Sequence, residues 1–320
     1  MQTQAIVLNI GADVAKDEIV VACSEGSFPV RKLANKRTAL LAFLKSIPAG
    51  SRIGMESTGI YHELFASLAH KLGFIVYVLN PKDVRHYAKG VGMRGKTDRV
   101  DAELLARMVA KEHVELHAWV PPTPDQREID RLIKRRAKLS ALRQALGMSL
   151  KGLDGFKTDL QTLRQRFDQV IARIDQRIKE LIEANPDRKE HDMHLRTITG
   201  FGPVVSAAMV NSLERMPLKN ADAFVAFTGL DPRPDDSGQH QGKRRLSKRG
   251  PSELRRLLYL AALSAIKTKI WRPLYEHYRG KGLSSTAALV ILARRIARTA
   301  WSMYTYKTEF DPGRLMKRLT

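Results

Sequence analysis

Apolar residues in the first 110 positions fall into two kinds of short pattern. Runs at 5–11, 18–24 and 28–33, separated by tight polar turns, predict three short strands, and 51–56 and 74–79 predict two more that are buried. Leu40, Leu41, Phe43 and Leu44 have helical spacing within 38–46, a second helix is expected over 61–72, and Val100, Leu104, Leu105 and Met108 share one face of a helix over about 97–111. Pro81 ends the last strand. The whole predicts an α/β unit that opens with three meandering strands.

The pattern changes at 120–124, where three of five residues are proline, a junction signal. Two long amphipathic stretches follow, 123–153 and 158–184, broken around Gly152 and Gly155. They predict an antiparallel helical hairpin or an interchain coiled coil, closed by Asn185–Pro186. From Asp192 onward the pattern is mostly helical, interrupted at 199–203 and by a polar loop, 231–242, with no large apolar residue to bury. Three domains are expected, over 1–118, 119–188 and 189–320.

Composition narrows the class. The 320 residues are 43% hydrophobic and 28% charged, which fits a folded chain rather than a disordered one. The single cysteine, Cys23, excludes an internal disulfide framework and a multi-cysteine zinc site. No stretch approaches the ~18 apolar residues of a membrane span, and the N-terminal segment lacks a basic leader, so a cytoplasmic protein without membrane association is expected. Net charge is +22 and the pI about 10.2. Residues 1–110 carry 15 basic and 10 acidic side chains, so most of the excess lies beyond them. A surface this basic attracts phosphate backbones by releasing counterions, which points to nucleic acid, although a merely solubilising surface reads the same way.

Four carboxylates are candidates for a shared site. Asp13 lies just past the first predicted strand, Glu56 closes the fourth, and Asp98 and Asp101 are three apart at the start of a helix, hence on one face. If they converge, their mutual repulsion calls for divalent cations, and oxygen-only ligands favour Mg²⁺ or Mn²⁺, one or a pair, as in phosphodiester chemistry. Each acid also has an ordinary reading, as a turn residue, a cap or a partner of the helix dipole. Arg94, Lys96 and Arg99 flank the acids and suit a phosphate substrate or simple salt bridges.

In the polar loop, Ser237–Gly238 precedes Lys243, Arg244, Arg245, Lys248 and Arg249, a strong phosphate-binding run, with Arg255 and Arg256 in the helix that follows. From composition alone Ser237 reads as a turn residue. As a nucleophile it would need a base or a metal, and only Asp235, Asp236 and His240 are near in sequence. Upstream, Gly200 and Gly202 in TITGFGP are either half of a helix-hairpin-helix that admits a DNA phosphate or a packed turn. The tryptophans and tyrosines of the C-terminal helices read as core or interface residues.

Together, IGADVAK, MESTGIY, LNP, KTDRVDA, ITGFGP, AFTGLDP, the SG pair, LSKRG and LRRLLY, in this order and reaching Tyr259, resemble the transposases of the insertion-sequence family one-ten, to which the Piv/MooV DNA invertases are related. The resemblance covers essentially the whole chain. It implies a RuvC-like, ribonuclease-H-type N-terminal domain whose tetrad falls on Asp13, Glu56, Asp98 and Asp101, a coiled-coil oligomerisation hairpin, and a mostly helical transposase domain with its catalytic serine at Ser237. It implies a recombinase that forms a phosphoserine link with Mg²⁺ assistance and needs no nucleotide cofactor; no GxxxxGK[ST] motif occurs. The implied partners are donor and target DNA, an element-encoded guide (bridge or seeker) RNA, and further copies of the chain, as a dimer or tetramer combining sites from different subunits. Ala12 and Ser57 depart from common family choices without removing a ligand. Two rivals are a RuvC-like two-metal junction nuclease in which Ser237 is idle, and a noncatalytic nucleic-acid-binding protein.

Overall fold

The computed structural model describes residues 7–57, 59–95, 97–216, 218–233, 236–237, 240–241 and 245–313, with the backbone alone at 236–237 and 240–241. The chain divides into two compact units, Met1–Pro121 and Pro122–Thr320. Among the described residues no helix is long and apolar enough to cross a membrane.

The first unit is mixed α/β. Strands β1 (Asn9–Val14), β2 (Glu18–Cys23), β3 (Arg31–Ala34), β4 (Arg52–Glu56) and β5 (Ile75–Leu79) form one sheet in the order β3-β2-β1-β4-β5. The first three pair antiparallel; β4 and β5 are parallel to β1. Side-chain alternation divides the sheet. Ile10, Ala12, Val14, Ile53 and Met55 are buried in a core with Leu40, Phe43 and Leu44 of α1 (Arg37–Lys45) and Phe65 and Ala69 of α2 (Glu63–Lys71). The opposite face carries Gly11, Asp13, Gly54 and Glu56 and is covered by α4 (Asp98–Glu112), whose Leu104, Leu105, Met108 and Val109 pack with Tyr77 and Leu79.

Two elements depart from the sequence pattern. The first strand is displaced toward the C-terminus, so Asp13 lies within β1 rather than after it. A helix not expected from the sequence, α3 (Pro81–Gly90), begins where Pro81 had marked only a strand end. Asn80 caps it, its side-chain oxygen accepting from Lys82 N–H at 2.9 Å, and Pro81 supplies the fixed φ of a first helical residue.

The second unit is mostly helical. Helices α5 (Pro124–Ser149) and α6 (Lys157–Glu183) form the antiparallel hairpin, separated by a short 3-10 turn at Asp154–Phe156. The Thr123–Gln126 capping box starts α5, and Arg136–Asp175, Arg143–Asp168 and Arg177–Glu128 ion pairs tie the two helices. The base of the hairpin is buried through Ile129, Ile133, Ile178, Leu181 and Ile182, and Ile171 is buried midway along α6. Its far end exposes Leu142, Met148, Leu153, Phe156 and Leu163. The base joins a core built by α7 (Pro186–Arg196), α8 (Pro203–Arg215), α9 (Ala221–Thr228), α10 (Ser252–Ala265), α11 (Arg272–Gly280) and α12 (Ser285–Tyr306) around fully buried Trp271, Phe224, Leu258 and Leu292. Asn185–Pro186 closes the hairpin as expected, α6 ending at Glu183, and also caps and opens α7, Asn185 accepting from Arg188 N–H at 3.0 Å.

The polar stretch expected as a loop contains paired backbone. Strands β6 (Pro232–Arg233) and β9 (Arg245–Leu246) pair antiparallel, and between them β7 (Asp236–Ser237) pairs with β8 (His240–Gln241). Backbone pairing compensates here for the absence of apolar side chains to bury.

Candidate active site

Gly11 and Gly54 face each other across the β1–β4 pair, and each stands two residues before an acid, in Gly11–Ala12–Asp13 and Gly54–Met55–Glu56. The register runs to Ala12 beside Met55, so the next positions in both strands are Asp13 and Glu56. By the two-residue alternation of a strand, both acids share the face of the glycines.

That face is where α4 lies, and the glycines explain how closely. A Cβ on Gly11 would stand 2.0 Å from the Ala102 carbonyl oxygen and 2.3 Å from the Ala106 nitrogen; one on Gly54 would stand 2.3 Å from Val109 Cγ2. The helix backbone therefore rests on the sheet. Residues 98, 101, 102, 105 and 109 form one stripe at helical spacing. Its last three members touch the glycines, and Ala102 packs with Val20, the cross-strand neighbour of Asp13. The remaining two, Asp98 and Asp101, continue the stripe toward the end of β1 that carries Asp13. Thr97 fixes this helix start: its Oγ1 accepts from Val100 N–H at 3.3 Å and its carbonyl from Asp101 N–H at 2.9 Å. Asn35 braces the same end, donating from Nδ2 to the carbonyls of Ala15 (3.0 Å), just after β1, and Tyr61 (3.2 Å), beyond β4.

The backbone thus sets Asp13 and Glu56 on the sheet face that α4 covers, with Asp98 and Asp101 in the first turn of that helix. Asp13, Glu56 and Asp101 are half-buried and Asp98 is exposed. The side chains do not form a ready cage: among the described residues no group of three or more His, Cys, Asp and Glu stands where it could hold a metal ion. The donor chemistry, four carboxylates and no nitrogen or sulfur, fits a hard divalent cation. Arg99 pairs with Glu103 at 2.9 Å along its own helix, Arg94 is exposed, and Lys96 lies outside the described residues. Gly11, Gly54, Thr97 and Asn35 were not singled out from the sequence; the repeated Gly-x-acid spacing is the signal that could have found the first two.

Ser237 is the last residue of β7, with His240 opposite it in register. The ladder grows from a fixed base. Ser247 N–H donates to the Asp231 carbonyl (2.9 Å), its hydroxyl donates to the Asp231 carboxylate, and Lys248 N–H donates to the Gly229 carbonyl (3.1 Å). A Cβ on Gly250 would stand 1.7 Å from the Phe227 carbonyl oxygen, so this position admits only glycine. Arg245, Lys248 and Arg249 are exposed; Lys243, Arg244, Asp235 and Gly238 lie outside the described residues. Two further arginines of the basic segment are committed elsewhere. Arg255 donates to the carbonyls of Thr228 (3.0 Å) and Gly250 (3.2 Å), and burial lowers its pKa; Arg256 pairs with Glu253.

Gly200, with φ of +100°, packs against α10, where a Cβ would meet the Ala261 carbonyl at 2.8 Å, so it serves the packed-turn reading. Gly202 has open space around it and precedes the uncapped start of α8. Trp271 is fully buried, as a core residue.

Comparison with known proteins converges on this picture. Residues 10–153 match a family model of DEDD transposases of the IS110 type, described as "Transposase", and residues 192–278 match "Transposase IS116/IS110/IS902 family". The pilin gene-inverting protein of Moraxella bovis is 27% identical over 268 residues, covering 80% of this chain and 81% of that protein. The transposase for insertion sequence element IS1328 of Yersinia enterocolitica is 26% identical over 344 residues, covering 94% and 98%. A probable family 20 transposase of Pseudomonas aeruginosa is 24% identical, covering 95% and 98%. The α/β unit with its four candidate carboxylates and the helical unit after it are thus the two parts of a transposase, an enzyme of DNA recombination. The chain belongs to the IS110/IS116/IS902 family of insertion-sequence transposases.

Proposed function

We propose that this transposase cuts and rejoins DNA through Ser237, with the four acids holding a divalent cation and a guide RNA choosing the site. In the cleavage step Ser237 Oγ attacks a backbone phosphorus. An Oγ–P bond forms, the bond from that phosphorus to one sugar oxygen breaks, the serine proton passes to a base, and the departing sugar oxygen takes up a proton as a hydroxyl. Attack by the hydroxyl of another strand end reverses the step and frees the serine. The phosphoserine link conserves the bond energy, so no nucleotide cofactor is required.

Asp13, Glu56, Asp98 and Asp101 would hold Mg²⁺ or Mn²⁺. An ion there supplies charge neutralisation and Lewis acidity toward phosphate oxygens. The exposed Arg245, Lys248 and Arg249 provide phosphate contacts beside the serine ladder. The five-stranded sheet that opens with three antiparallel strands supports reading the first unit as RuvC-like, and the apolar end of the α5–α6 hairpin suits association with further copies. Delegating sequence recognition to a guide RNA fits a basic chain acting on the nucleoid in the cytoplasm.

The observation that supports this reading is the pair of Gly-x-acid strands lying side by side under α4, a helix that carries Asp98 and Asp101 in its first turn. End-labelled donor DNA incubated with the protein, co-purified RNA and Mg²⁺, then run under denaturing conditions, tests it. Protein-linked DNA is expected, lost in Ser237→Ala and strongly reduced in Asp98→Asn. Free-ended product from an active Ser237→Ala variant would sink the serine chemistry in favour of two-metal hydrolysis. Sequencing the co-purified RNA tests the guide.

A further inference from the structure

At the head of α10 a cavity of about 530 Å³ opens between α5, α8 and the end of α9. This volume falls within the range of about 300–1,000 Å³ usual for small organic ligands. Its walls differ in chemistry. On one side is the first turn of α10, a 14-residue helix whose N-cap, Pro251, makes no side-chain cap, so the amides of that turn face the cavity mouth without a capping oxygen. Beside it stands Arg215, exposed and, among the described residues, without a carboxylate partner. The two lining carboxylates are both engaged: Asp130 with Lys134 at 2.7 Å, and Glu253 with Arg256 at 2.9 and 2.6 Å. This side suits a phosphate.

The other side suits a flat apolar group with a hydrogen-bond donor. Phe227 and Leu254 line it, and Asn211 stands among them. Asn211 is only 5% exposed; its Nδ2 donates to the Gln126 carbonyl at 3.2 Å, which fixes the amide orientation, while its buried Oδ1 has no partner. An orphaned buried acceptor costs about 1–3 kcal/mol until a donor reaches it. Phosphate alone leaves Oδ1 unmet, and an aliphatic group leaves the amides and Arg215 unused. A nucleotide answers both, with its phosphate at the α10 amides and Arg215, its base against Phe227, and an amino or imino N–H directed to Asn211. The cavity also stands where the basic run ends, since Arg245, Lys248 and Arg249 lead directly into Pro251.

We infer that this cavity binds one unstacked nucleotide of a single strand that tracks the basic run. The inference rests on the DNA-recombining reading above and adds to it a base-holding subsite. It is tested with the full-length protein and fluorescein-labelled single-stranded octamers, in DNA and in RNA, each carrying one abasic position moved stepwise along the strand. With the wild-type protein one abasic position is expected to weaken binding about tenfold while its neighbours have little effect, as for loss of one stacked base. Asn211→Leu should reduce that discrimination to near unity. The surface variant Arg215→Gln, which leaves the core untouched, should weaken the intact octamer several-fold. Discrimination in DNA or in RNA supports the subsite and tells which strand enters it. Equal binding of all abasic octamers in both series, or discrimination retained in a folded Asn211→Leu, would overturn it. Covalent adduct without discrimination rejects the subsite alone; discrimination without adduct rejects the serine reading alone.

Discussion

Glycines do opposite work in the two units. In the first, Gly11 and Gly54 sit inside extended strands, and their missing side chains let the α4 backbone settle on the sheet. In the second, Gly229 and Gly250 sit in loops. Gly229, at φ +71°, ends α9, and its Cβ would crowd the Arg249 nitrogen at 2.9 Å, while Gly250 abuts the Phe227 carbonyl. The first arrangement extends a regular scaffold, so acids just past the contact inherit its precision. The second clamps two loop ends together and lets a ladder of two-residue strands rise from the clamp. The carboxylates thus rest on buried secondary structure, whereas the serine rests on a short ladder with a fixed base.

That contrast breaks most directly at Gly11. Gly11→Ala places a methyl against helix backbone that cannot rotate away and should destabilise the first unit by about 3 kcal/mol or more, beyond ordinary overpacking. Gly54→Ala meets the end of the Val109 side chain, which can shift, and should cost about 1–2 kcal/mol. Denaturant unfolding of both variants checks the order. Equal losses would mean that α4 does not rest on β1 as described.

The second unit has its own fixed point in Arg188, buried to 5% exposure, which donates to Glu214 (2.9 Å) and Asp125 (3.1 Å) and so ties α7 to α8 and to the start of α5. Arg188→Ala strands two carboxylates and should cost about 2–3 kcal/mol, less than for fully buried partners because Asp125 is half exposed. If this unit unfolds with unchanged stability in the variant, its order depends on the apolar core alone.

Much of this architecture was legible in the sequence, because burial follows periodicity. The five strands, α4 and the helical hairpin follow from apolar spacing. Asn80–Pro81 and Asn185–Pro186 read as stops, and β5 and α6 do end just before them, but an Asn cap followed by Pro at the first helical position is also a start signal, here for α3 and α7. The serine ladder escaped because its strands are two residues long and polar, held by backbone bonds that leave no apolar signature. Among the four candidate acids the residue types were legible. The shared face of Asp13 and Glu56 depends on β1–β4 register, which no local pattern in either strand specifies.

A smaller effect is expected at the cap of α4. Thr97→Ala removes the acceptor for Val100 N–H and should destabilise by about 1 kcal/mol, while Thr97→Ser should restore most of it. Amide exchange in the first turn of α4 should rise in the Ala variant while exchange in β1 stays unchanged. Faster exchange in both would show that the sheet, too, relies on the cap.

The smallest expected effect concerns the other end of β1. Glu25 accepts from the backbone N–H of Asn9 (3.1 Å), from Asn9 Nδ2 (2.5 Å) and from Cys23 Sγ (3.1 Å), linking the start of β1 to the end of β2. Partial burial pushes its carboxyl pKa up, but hydrogen bonds from Asn9, Ser24 and Cys23 outweigh this and hold it down at about 2, against an ordinary 4.5. A carboxylate depressed in the folded state stabilises above its unfolded pKa, and that contribution is lost as pH falls from about 4.5 to about 2. Because the side chain is exposed, solvent screening limits the gain to roughly 1 kcal/mol or less. Glu25→Gln should therefore lower stability slightly at pH 7 and flatten its decline over that acid window, as followed by denaturant unfolding at stepped pH. An identical acid profile in wild type and variant would mean that these hydrogen bonds persist in the unfolded chain or contribute nothing to the pairing of β1 with β2.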